Sequence, residues 1–112
     1  MVPLAAGFVV LVRFPFSDLS QAKLRPAVVL ADAERGDWIL CQVTSKSYAD
    51  SAAVALEPTD FRRGSLQVIS YARPGKLFTA SADLVERVVG ALQPESFREV
   101  IAAVVKILAG SR

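Results

Sequence analysis

The chain has 112 residues, 53% of them apolar, with 13 basic and 11 acidic side chains and a net charge of +2. That is enough apolar content for one core without staples and too much for disorder, while the near-balanced charge is no argument by itself for a nucleic-acid partner. With no histidine and a single cysteine, Cys41, an intramolecular disulfide, a structural zinc site, a histidine metal centre and every Ser-His or Cys-His nucleophilic pair are excluded.

The length predicts one domain over residues 1–112. No apolar run reaches the ~18–20 residues of a membrane-crossing helix. The start, Met1-Val2-Pro3-Leu4, lacks the pattern of a secretory signal, so the expected compartment is the cytoplasm and no membrane partner is expected.

In chain order, Phe8–Phe14 is a β-branched and aromatic run of strand length. Pro15 to Leu24 reads as a loop, rich in turn formers and without period. Arg25 and Pro26 close it. Pro26 keeps Arg25 out of the α region and launches a strand, Ala27–Asp32, whose unbroken apolar character predicts burial on both faces. Glu34-Arg35-Gly36-Asp37 reads as a hairpin turn and Trp38–Ser45 as a third strand, followed by a polar stretch from Lys46 to Ser51. Ala52–Leu56 reads as a short strand, and Glu57–Gly64 as a turn or a single helical turn. Leu66–Tyr71 alternates like a strand, and Arg73-Pro74-Gly75-Lys76 punctuates it. Leu77–Thr79 and Leu84–Leu92 look extended, broken by a bend at Ser81-Ala82-Asp83.

The tail changes period. Pro94 suits the first position of a helix, with Glu95 in its first turn. Phe97, Val100, Ile101, Val104 and Leu108 recur at helical spacing, and Ala109-Gly110 ends the run. Val105 and Ile107 broaden the apolar face, so the helix is either deeply cradled or also touches a second subunit. The expected architecture is six or seven short strands curled into a small sheet or partial barrel, with one C-terminal helix.

Without imidazole or a Gly-rich phosphate loop, any phosphoryl chemistry has to use arginine, lysine, hydroxyls and carboxylates. The Ser17–Pro26 segment is longer than a hairpin needs and ends in Lys23-Leu24-Arg25-Pro26, with a guanidinium at a strand mouth that can hold a phosphate bidentately. From spacing alone, a solvated arginine or one paired with Asp18 or Asp32 is the stronger reading. Gln42-Val43-Thr44-Ser45-Lys46 sets hydroxyls beside a lysine, although threonine also simply favours strands. Ser70-Tyr71-Ala72-Arg73-Pro74-Gly75-Lys76 interleaves an aromatic ring with two cations, a combination that suits either RNA or an ordinary charged turn. Arg62 and Arg63 read as a solvated pair.

Taken in order, Phe8–Phe16, Leu24–Leu30, Gln42–Ser45, Asp60-Phe61 with Gly64-Ser65-Leu66, and Ser70–Thr79 resemble toxins of the MazF/PemK type, over Gly7 to Leu108. The resemblance implies a mainly β, compact SH3-like barrel with a C-terminal helix, a homodimer, and metal-independent cleavage of single-stranded RNA. It implies a cognate antitoxin whose flexible segment covers the RNA groove. It also implies Arg25 and Thr44 as the catalytic pair, with Asp18, Lys23, Ser45, Lys46, Ser70, Arg73 and Lys76 as RNA-binding residues, and no metal or other cofactor. The family's acidic position before Arg73 is occupied here by Ser70, which leaves the proton acceptor unassigned. Lys23, Arg25, Lys46, Arg73 and Lys76 are expected at strand ends and loops, several converging on one mouth. Two other readings share the sequence features: a CcdB-like toxin that binds a protein such as DNA gyrase, and a nucleic-acid-binding module without turnover.

Overall fold

A computed structural model describes residues 3–15, 22–46 and 50–110. Asp18, in the predicted first loop, lies outside them. The described residues form seven strands: β1 (Phe8–Pro15), β2 (Ala22–Glu34), β3 (Asp37–Thr44), β4 (Val54–Leu56), β5 (Phe61–Gly64), β6 (Ser70–Ser81) and β7 (Val85–Leu92). One helix, α1 (Pro94–Leu108), follows, and short 3-10 turns occupy Pro58–Asp60 and Ala82–Leu84. The strands make one antiparallel sheet in the order β4-β6-β3-β2-β1-β7-β5. The mainly β fold with a C-terminal helix is as expected.

Bulges give the sheet its curl, because an extra residue on one strand bends it and increases its twist. Register shifts interrupt β1 against β7, β2 against β3 and β3 against β6. The curled sheet buries apolar residues on both faces. Val9, Val28, Cys41, Val43, Leu56, Ala72 and Leu92 face the core that α1 closes with Val100 and Val104. Val10, Val12, Ala27, Val29, Leu40 and Val85 build a second core on the opposite face. Ala27, Val28 and Val29 are fully buried, which is the two-sided burial that their unbroken apolar run predicts.

Four details differ from expectation. The second strand starts at Ala22 rather than after Pro26, because Lys23, Leu24 and Arg25 pair with Phe14, Arg13 and Val12 of β1. The Glu57–Gly64 turn contains a real strand, β5, behind its 3-10 turn. Arg73–Lys76 does not end a strand but forms a bulge inside β6. There Ala72 pairs with Val43 and Leu77 with Cys41, so four residues oppose Gln42 alone, and a proline without an N–H is tolerated where the ladder is already broken. Accordingly Leu66–Ile69 precedes β6 rather than forming its own strand. On α1, Leu108 is 71% exposed and leaves the buried stripe. Ser96 joins that stripe instead, donating to Asp60 Oδ1 at 2.7 Å. Asp60 also accepts from the Glu57 N–H at 2.7 Å, so one carboxylate ties the β4–β5 connection to the first turn of α1.

The edge strand β5 approaches β7 so closely that Gly64 lies opposite Gly90. Gly64 has a φ of +62°, and a Cβ there would overlap the Val89 carbonyl oxygen and meet the Gly90 Cα at 2.7 Å. Gly36, in the β2–β3 hairpin at a φ of +81°, has open space around it. Gly64→Ala is expected to lower stability by at least about 2 kcal/mol, since steric overlap adds to left-handed strain. Gly36→Ala bears the conformational cost alone, about 1 kcal/mol. Urea unfolding of the two variants side by side checks the difference; equal losses would show that β5 does not press on β7.

Cys41 is buried in the helix-side core, its Sγ 3.1 Å from the Arg73 carbonyl oxygen to which it donates. Burial pushes its thiol from 9.0 to about 12, and the negative charge of Asp50 adds to this against an opposing backbone hydrogen bond from Arg73. The folded state therefore holds the thiol proton more tightly than the unfolded chain does. The resulting stability is complete below the ordinary thiol value and is lost as pH rises through the folded value. Urea midpoints at about pH 8 and about pH 10.5 should fall further in the wild type than in Cys41→Ala. Parallel declines would show that Cys41 ionises as easily folded as unfolded.

Candidate functional site

Where β2 and β3 stop pairing, the sheet opens. Their ladder runs from the hairpin down to Ala27 opposite Gln42. The next residue of β2 outward is Pro26, which has no N–H to extend it. Continuing the same register by two places sets Arg25 across from Thr44, while Thr44 itself keeps its pairing with Tyr71 of β6. The antiparallel order β6-β3-β2 brings the start of β2, the end of β3 and the approach to β6 to one end of the sheet. A pocket of about 540 Å³ lies there.

The pocket has three walls. Lys23 to Pro26 of β2 form one, Val43 to Lys46 at the end of β3 the second, and Leu66 to Val68 with Ser70 the third. Arg25 is half-buried with its Nε enclosed, so its fork is held by the fold rather than waving in solvent. Thr44 is half-buried, and its Oγ1 accepts the Lys46 N–H at 3.2 Å, which curls the chain at the strand end and leaves the hydroxyl its own proton to donate. Ser45, Lys46 and Lys23 are exposed. Ser70 is only 3% exposed and donates to the Val68 carbonyl at 3.0 Å, so it shapes the third wall.

Three cations, Lys23, Arg25 and Lys46, line this pocket, and among the described residues no carboxylate does. A guanidinium fork, a hydroxyl and two ammonium groups around a gap of this size suit a phosphate and the charge that builds on it in a displacement. A second pocket, of about 500 Å³ at the start of α1, has the opposite character: Asp60, Glu95 and Glu99 line it with Arg98. It offers an anion little.

The expected site residues thus divide. Lys23, Arg25, Thr44, Ser45, Lys46 and Ser70 come together. Arg73 and Lys76 do not line the pocket; both belong to the β6 bulge opposite Gln42. Arg73 Nε donates to Asp50 Oδ2 at 3.0 Å, with side chains 25% and 13% exposed. This pair fastens the chain four residues beyond Lys46 to the sheet. Lys76 is exposed. Leu24, Leu66, Gln67 and Val68 were not singled out in the sequence. In the sequence they carry no mark of a site; in the fold Val68 and Ile69 stand out as aliphatic side chains 58% and 50% exposed. Among the described residues no group of acids, cysteine or histidine is placed to hold a metal ion, and no helix is long and apolar enough to cross a membrane.

Solved structures share the whole architecture. A MazE–MazF crystal structure from Deinococcus radiodurans superposes with a TM-score of 0.77 at 21% identity, covering 99% of each chain. MazF alone from the same organism gives 0.73 at 23% identity, over 97% of this chain and 98% of that one. An endoribonuclease in complex with its cognate antitoxin, from a mycobacterial species, gives 0.75 at 16% identity over 96% of each. At these identities the likeness establishes the fold. No curated protein sequence matches the chain. Residues 5–108 match the family described as "PemK-like, MazF-like toxin of type II toxin-antitoxin system". With nearly its full length inside that match and the same curled sheet and terminal helix, the chain belongs to the PemK-like, MazF-like toxin family.

Proposed function

We propose that this toxin is a metal-independent endoribonuclease that cuts single-stranded RNA at the cationic pocket. The observation that carries the reading is the placement of Arg25 and Thr44 in one pocket with Lys23 and Lys46. Two facts about similar proteins support it: one is named an endoribonuclease, and two are solved with an antitoxin. In the reaction, the ribose 2′-oxygen attacks the adjacent phosphorus and the bond to the 5′-oxygen breaks, giving a cyclic phosphate and a 5′-hydroxyl. Arg25 holds the non-bridging oxygens with its fork as their negative charge grows, and Thr44 donates to one of them and orients it. Lys23 and Lys46 hold the flanking backbone, with Ser45 beside them. Arg73 acts through its ion pair with Asp50, which holds Asp50 against the sheet beside the pocket's β3 wall.

The partner is an antitoxin with an acidic segment, which competes for the same cations by carrying the charge that the RNA backbone carries. The compartment is the cytoplasm, where RNA is met. The toxin works as a homodimer: large apolar side chains such as Val105 and Leu108 of α1, 56% and 71% exposed, leave surface that a second copy can cover.

Purified protein incubated with single-stranded RNA in excess chelator is expected to cut it. Arg25→Ala should lose on the order of 10²–10³ in rate, and Arg25→Lys should recover little, because a point charge does not reproduce a planar fork. Full activity in folded Arg25→Ala, or activity that requires Mg²⁺, would sink the mechanism. No cleavage by the wild type would move the reading to a toxin that binds its target without turnover.

Light scattering at micromolar protein is expected to give twice the 12.0 kDa of one chain. A mass of 12.0 kDa under those conditions would rule out the dimer.

A further inference from the structure

The walls of the cationic pocket differ in kind. Lys23, Arg25 and Lys46 all stand on β2 or at the end of β3, whereas Leu66, Gln67 and Val68 carry no charge. Gln67 is exposed, Val68 is 58% exposed, and Leu24 on the facing wall is 47% exposed. Two exposed aliphatic side chains at a charged mouth offer apolar surface on which a flat apolar ligand can pack. A nucleotide is divided in the same way, with an anionic phosphate at one end and, at the other, a base with apolar faces and a polar edge.

From this match, and resting on the RNA-cleaving reading above, we propose that Gln67 reads the edge of one base next to the cut phosphate. Leu24 and Val68 pack on the faces of that base. The wall is suited to reading because its end is held: Ser70, almost fully buried, donates to the Val68 carbonyl at 3.0 Å and fixes the backbone one residue beyond Gln67. A carboxamide presents one acceptor beside one donor. Unstacked bases of single-stranded RNA are read along such edges. The carboxamide complements a donor beside an acceptor, which every base offers on its edge, guanine through N1–H and O6, so it reads a base by where that pair of groups lies relative to the held phosphate. A carboxylate at the same place only accepts, and it suits guanine, whose N1–H and N2–H are adjacent donors. Gln67 thereby sets part of the cleaved sequence, separately from the residues that hold the phosphate.

The test uses a pool of RNA oligonucleotides randomised at every position, cut by wild type, Gln67→Ala and Gln67→Glu, with the cut ends sequenced. Base frequencies are normalised to each protein's own total cleavage. The wild type should favour one or two bases over the rest at one position beside the cut by on the order of tenfold, the size expected for one two-point contact. Gln67→Ala should flatten that position and leave the others unchanged. Gln67→Glu should turn it toward guanine, even if the added negative charge slows cutting. Cleavage with the same preferences in all three proteins overturns the assignment of Gln67 and leaves the nuclease reading standing, as does a wild type that cuts without preference. A wild type that cuts no RNA overturns the nuclease reading and the base reading with it.

Discussion

A residue without an N–H does not extend a β-ladder, and Pro26 stands at the place where β2 and β3 part. Above it the two strands are zipped up to their hairpin. Below it β3 stays with β6 while β2 stays with β1, and the gap between them is the cationic pocket. This arrangement needs a fixed register, since a one-residue slip would turn every side chain to the other face. The register is fixed because β1 and β2 are buried on both sides. Val9 and Val28 belong to the core under α1, and Val10, Val12, Ala27 and Val29 to the core opposite. A slip would exchange small and large residues between two filled cores. Arg25 continues the Ala27–Val29 face, one step past the last buried position, so the packing of valines aims a guanidinium into the pocket.

The bulge in β6 carries a second constraint. Four residues opposite Gln42 push Arg73 out of the ladder, and its guanidinium reaches Asp50 while its carbonyl accepts from the Cys41 thiol. A carbonyl freed from a ladder needs a partner when buried, and a thiol is a weak but sufficient one. One irregularity thus holds Asp50 at the sheet and ties into the core beside it through Cys41. It also shows where Arg73 stands: outside the pocket, with its Nε on Asp50.

Much of the fold is legible in the sequence because its strands are apolar runs with turn residues between them. The unbroken Ala27–Leu30 run announces its two-sided burial, and Pro94 announces the helix. What was not legible depends on partners far along the chain. Arg73-Pro74-Gly75-Lys76 has every local mark of a turn, and only pairing with both Cys41 and Val43 shows it to be a bulge. Phe61-Arg62-Arg63-Gly64 has no alternation of its own and is a strand only because β7 offers it an edge. In the pocket, Arg25 and Thr44 are 19 residues apart in sequence and meet through the β2–β3 register, a relation that spacing cannot express. The Leu66–Val68 wall was missed because the same residues also fit the alternating pattern of a strand.

The cations that line the pocket bear on how it can work. Lys23, Arg25 and Lys46 share a small space, so like charges meet across it. The arrangement is held by the burial of the strands that carry it, so folding energy maintains a field that an anion then relaxes. Stabilisation of this kind grows as negative charge accumulates, and so favours a phosphorus with five oxygens over the ground-state diester. The same excess of positive charge makes the site easy to block, since any flexible acidic segment that lies across it relieves the same repulsion. On the reading proposed above, a site so rich in cations is open to inhibition by charge, and an antitoxin need not copy the shape of RNA to silence it.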